Sequence, residues 1–151
     1  MPVRPIVILV ALGVLAGCDG PKPVTVDEYN TRVVTLPQGQ KIRAELMMRE
    51  ADMQRGMKYR DSLATDRGML FLHGSAGNYS YWMHEVRIPL DMIWMDENKR
   101  IVEMYRNAEP CADIPEKCPV YGGRQKALFV LELAGGMADR YGLKLGQQLD
   151  F

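Results

Sequence analysis

The stretch YSYWMHEVRIPLDMIWMD, residues 79–96, decides how the chain is read. Pro89 divides it. Before the proline, Ser80, Trp82, His84 and Val86 alternate with Tyr79, Tyr81, Met83 and Glu85, the period of two that places successive side chains on opposite faces of a strand. After it, LDMIWMD is apolar apart from its aspartates and predicts a second strand starting at Leu90, because proline cannot donate to a ladder.

Outward from that stretch, short elements follow one another. In KIRAELMM (41–48), Ile42, Ala44 and Leu46 alternate with charged residues, which predicts a strand with one wet face. READMQRGM (49–57) loses the alternation, and Met53 and Met57 stand four apart, so a short helix ending at Gly56 is expected. GMLFLH (68–73) reads as a buried strand, ENKR (97–100) as a turn, and IVEMYRN (101–107) and ALFVLELAGG (127–136) as further strands. MADRYGL (137–143) predicts a short helix that Gly142 ends, and LGQQLDF (145–151) a last short strand. Many strands with one or two short helices argue an α+β domain on a mostly antiparallel sheet, strongly curled or closed into a partly open barrel.

At 151 residues, with 47% hydrophobic and 25% charged residues, the composition suits one domain. The formal net charge is zero and there is no Lys/Arg block, so the electrostatic footprint of a nucleic-acid binder is missing and no such partner is expected.

The first 17 residues have the order of a signal peptide: Arg4, an apolar run from Ile6 to Leu15, then small residues. That run is shorter than the roughly 20 residues a membrane-spanning helix needs. Leu15, Ala16, Gly17 and Cys18 resemble the lipobox of bacterial lipoproteins, which implies lipidation of Cys18, cleavage before it and stable attachment through several acyl chains. Asp19 resembles an inner-membrane retention signal. The alternative is a plain cleaved signal. The expected organisation is a signal peptide over 1–17, a lipid site and flexible tether over 18–38, and one domain over 39–151 facing the periplasm. Pro21 and Pro23 in a polar run support the tether.

Cys111 and Cys118 then remain as an even pair in an oxidising compartment, bracketing ADIPEK, and a disulfide is expected. Their spacing matches neither a C-x-x-C redox motif nor a usual zinc site.

RGMKYRDSL, GMLFLH, YWMHEVRIPLDMIWMD and VLELAGGMADRYGLKLGQQLDF, in that order and spacing, resemble the bacterial and archaeal family called domain of unknown function 192. The resemblance covers about residues 40–151. It implies a compact, strand-rich domain with no established biochemical role. Where members usually read Trp-Met-Lys-Asn-Thr, this chain has Trp82, Met83, His84, Glu85 and Val86, so no catalytic role is carried onto His84.

Four residues on family positions are the candidate ligand-binding set. Asp91 and Glu132 each sit between apolar neighbours in a strand, where a carboxylate must find donors or lose several kcal/mol to desolvation, and Arg60 is a candidate partner for one of them. With Trp82 as a stacking wall, these residues would hold a small polar ligand. The structural alternative has both carboxylates bonding backbone amides at bends. A hydrolase using Asp91 and Glu132 as a pair is a second reading. A third is Cu(I) binding by Met47, Met48, Met53, Met57, Met83 and His84, against which methionine is ordinary core filler. The leading expectation is a non-catalytic binding or accessory module for a small polar ligand or an envelope partner, with no cofactor and no metal.

Overall fold

The computed structural model describes residues 30–151. Within these residues eight strands occur in chain order: β1 (Thr31–Thr35), β2 (Lys41–Met47), β3 (Arg67–Gly77), β4 (Ser80–Trp82), β5 (Leu90–Met95), β6 (Ile101–Ala108), β7 (Val120–Gly122) and β8 (Ala127–Ala134). Among the described residues two short helices, α1 (Glu50–Arg55) and α2 (Met137–Arg140), lie after β2 and β8. The main sheet has the spatial order β1-β2-β3-β8-β5-β6, while β4 and β7 pair separately as a small ribbon. Neighbours in the main sheet are antiparallel except β2 and β3, which run parallel because the connection through α1 is long enough to cross over. The fold is therefore α+β on a mostly antiparallel sheet. Among the described residues the strand order is open, with β1 and β6 at its edges, and no closed barrel forms.

The sheet is covered on both faces, which explains why all six residues of β5 are buried. One face packs Val34, Ile42, Leu70, Ile93, Leu131 and Leu133 against Ala138 of α2, Leu143 and Leu149. The other is rich in thioether and aromatic groups: Met47, Met57, Met69, Met83 and Met92 pack with Phe71, Trp94 and Tyr121, beneath the turn after α1 and the β4–β7 ribbon. The ribbon sits close. A Cβ added at Gly122, whose φ is +71°, would fall 2.2 Å from the Trp94 ring.

Three sequence boundaries move. The domain starts before residue 39, since β1 pairs with β2 along its whole length and Val34 and Leu36 are buried; the run of β-branched residues supplies the strand. The strand expected through Val86 stops at Trp82: Val86 donates to Met83 in a tight turn, and Glu85 has a left-handed φ of +63°. The last expected strand is instead a strap. Gln148 bridges Arg100 and Asp150 bridges Thr35, so this short segment touches the start of β6 and the end of β1 without forming a strand of its own. The expected signal peptide, Cys18 and Asp19 lie outside the described residues.

Candidate functional site

Asp91 is fully buried, and its environment accounts for it. One carboxylate oxygen accepts the backbone N–H groups of Asn107 at 2.7 Å and Gly136 at 3.1 Å, and the other accepts that of Ala138 at 2.6 Å. Gly136 and Ala138 open α2, where a negative charge meets unbonded amides. Asp91 therefore staples β5 to the end of β6 and to α2. This is the structural alternative raised by the sequence.

Glu132 differs. Its cross-strand neighbours are Met69 on β3 and Met92 on β5, so it points into the methionine-rich face, whereas Asp91, adjacent to Met92 along β5, points to the other. The two carboxyl groups thus lie on opposite sides of the sheet and cannot flank one scissile bond, which removes the geometry that the paired-carboxylate hydrolase required. The Glu132 carboxyl is almost wholly buried and its Oε2 has no hydrogen-bond partner. Burial pushes its pKa up to about 8, against the weaker downward pull of the Arg60 charge.

Arg60 makes its hydrogen bonds elsewhere. Its guanidinium holds Glu45 of β2 in a two-pronged pair at 2.5 and 2.7 Å, and that bond keeps the Glu45 carboxyl below its ordinary range. Both residues line a cleft of about 530 Å³ between the end of β2 and the turn after α1, with Arg55, Lys58 and Tyr59 around it. Met69 also lines this cleft, and Met69 is the direct neighbour of Glu132, so the unpaired carboxyl lies just behind the cleft wall.

At the rim, Lys58 joins the cleft to Trp82. Its ammonium is 3.1 Å from Glu85 and 5.7 Å from the centre of the Trp82 ring, which is 42% exposed. Tyr59 and Glu85 both have positive φ values of 63°, and the Tyr59 N–H donates to the Glu85 carbonyl at 3.0 Å. Two non-glycine residues in this sparsely populated region, facing each other, store backbone strain at the rim. Cys111 and Cys118 form a disulfide whose loop grips the same turn: the Cys111 N–H donates to Met83, and its carbonyl accepts from Glu85.

Of the four candidate residues, Arg60 and Glu132 come together at the cleft, Trp82 reaches it through Lys58, and Asp91 does not belong to it. The sequence reading missed Glu45, Lys58, Tyr59 and Glu85. Glu45 was legible as a wet-face residue of β2, but its partner depends on the parallel crossover. Met47, Met57 and Met83 are buried core packing, while Met48 is exposed, so these thioethers are spread through the fold. Among the described residues no group of three or more His, Cys, Asp or Glu side chains is placed to hold a metal ion.

A mixed sheet enclosed on both faces, with carboxyls buried on each side, defines a small α+β domain. The chain belongs to the DUF192 family, described as uncharacterised, which residues 33–151 match. No curated protein matches it. A protein of unknown function from Novosphingobium aromaticivorans is similar in structure, with a TM-score of 0.72 and 27% identity over 93% of this chain and 99% of that one. A second crystal structure, of a candidate transcription regulator from Sinorhizobium meliloti, has a TM-score of 0.69 and 28% identity over 78% of this chain and 89% of that one.

Proposed function

We propose that this protein is an envelope lipoprotein, anchored through Cys18 and facing the periplasm, whose domain is a non-catalytic module that binds a small polar ligand in the cleft beside Arg60. One observation carries the binding reading: Glu132 keeps an unpaired oxygen behind the cleft wall, next to the Met69 side chain. Leaving such a group without a partner costs about 1–3 kcal/mol, and a ligand donor reaching past the flexible methionine would recover it. Arg60 and Lys58 supply charged contacts, and Trp82 a flat wall at the rim. A regulator acting on nucleic acid is less well supported, because the formal net charge is zero. The strap that touches both sheet edges supports a sheet curled into a partly open barrel, with the cleft outside it.

A single preparation tests both parts. The full-length protein, expressed in a bacterial host fed labelled palmitate, is expected to take up label that Cys18→Ser abolishes; label retained by the variant would remove the anchor. Native mass spectrometry of the detergent-released protein, purified without chelator, is expected to show a bound organic mass that Arg60→Ala removes. A clean apo mass would overturn the binding reading.

A further inference from the structure

β6 is an edge of the main sheet, and an edge strand normally leaves alternate N–H and C=O groups unpaired. The strap takes up Ile101, whose N–H donates to Gln147 and whose carbonyl accepts from Gly146. Among the described residues, the backbone from Val102 to Arg106 makes no backbone hydrogen bond outside the pairing with β5. A groove of about 780 Å³ runs along this stretch. It is lined by five consecutive residues, 102–106, which side chains of a single face could not do, so the groove follows the strand's free edge.

Its walls have a distinct chemistry. Tyr105, Val120 and Leu145 line it and are 42%, 65% and 64% exposed, a concentration of large apolar groups in contact with water. Arg106, Arg124 and Lys144 also line it; Arg106 is held by Asp139 at 2.7 Å, which leaves Arg124 and Lys144 against the single carboxylate of Glu103. That carboxylate is already used, since it accepts the backbone N–H groups of Arg124 and Gln125 at 2.9 and 3.1 Å. Arg124 itself lies 3.9 Å from that carboxylate, so the groove combines unpaired backbone groups, exposed apolar side chains and an excess of one positive charge.

We propose that the β6 edge is a docking site for an extended segment of a partner protein, in which acidic and apolar side chains alternate and which adds to the sheet as a further antiparallel or parallel strand. Backbone hydrogen bonds would supply affinity, Val120 and Leu145 would receive the apolar side chains, and Arg124 and Lys144 would meet the acidic ones. The site is separate from the Arg60 cleft, with β3, β8 and β5 between β2 and β6.

The probe is a synthetic octapeptide alternating Glu with Val and Phe, compared with its Lys-for-Glu counterpart and with a version methylated on alternate backbone nitrogens. Amide hydrogen exchange is read on the full-length protein. The expected result is protection of amides within Val102–Arg106 by the acidic peptide, and at least tenfold weaker binding by both other peptides and by the Leu145→Glu protein. Leu145 is largely exposed, so that substitution leaves the fold intact, and unchanged exchange in the core checks this. Absence of protection at β6, equal binding by the methylated or lysine peptide, or binding indifferent to Leu145→Glu would each overturn the proposal.

Discussion

Two carboxyl groups buried in the same sheet have opposite circumstances, and the difference is measurable. Asp91 is satisfied by three backbone amides, so Asp91→Asn replaces one acceptor by a donor that faces N–H groups and removes the charge that strengthens the others. The expected loss is about 2–4 kcal/mol of folding stability, seen as a lower urea midpoint with an unchanged slope. Glu132 is protonated more readily in the folded chain than in the unfolded one, with its pKa raised from 4.5 to about 8. Across that window the folded state holds a proton that the unfolded state has lost, so the Glu132 contribution makes stability fall as pH rises, by about 3–5 kcal/mol in all. Glu132→Gln is expected to flatten that slope and to be more stable than the parent above pH 8. Urea unfolding of both proteins at pH 5.5, 7 and 8.5 measures it, and parallel slopes would remove the assignment of this proton to Glu132.

At the level of elements, the turn that carries His84 and Glu85 is held by a neighbouring loop and not by its own strand. The disulfide closes that loop, and replacing both Cys111 and Cys118 by Ala is expected to lower stability by roughly 2.5 kcal/mol on the chain-entropy argument. The amide of Glu85, which bonds the Cys111 carbonyl, should then exchange faster than amides of β5; equal rates would show the turn to be independent of the loop. β5 itself was legible because Pro89 marks its start and its residues are nearly all apolar, and the disulfide was legible from the cysteine count together with the expectation of export. β1 falls within the expected tether although its β-branched residues signal a strand, because the prolines and polar residues upstream run into it without a boundary. The failure of alternation after Trp82 was not legible, since Glu85 adopts a backbone conformation that its residue type does not announce. Asp91 and Glu132 could be flagged as buried, but register alone decides that they point to opposite faces.

For the whole molecule, the sheet separates two environments: a hydrocarbon face sealed by α2, and a methionine and aromatic face that carries the cleft, the rim and the ribbon. The sequence could suggest such a division only through its methionine content, because it forms when strands distant in sequence become neighbours. The cleft lies towards one edge of the sheet and the basic groove at the other, so a small ligand and a partner segment could be held at once without competing for side chains. The strap has a consequence for the order of events in folding. Thr35 pairs with Asp150 and Arg100 with Gln148, so the end of β1 and the start of β6 gain these partners only once residues 148–150 are in place. Closing these two corners is therefore a late event in folding, because each joins segments that are far apart in sequence.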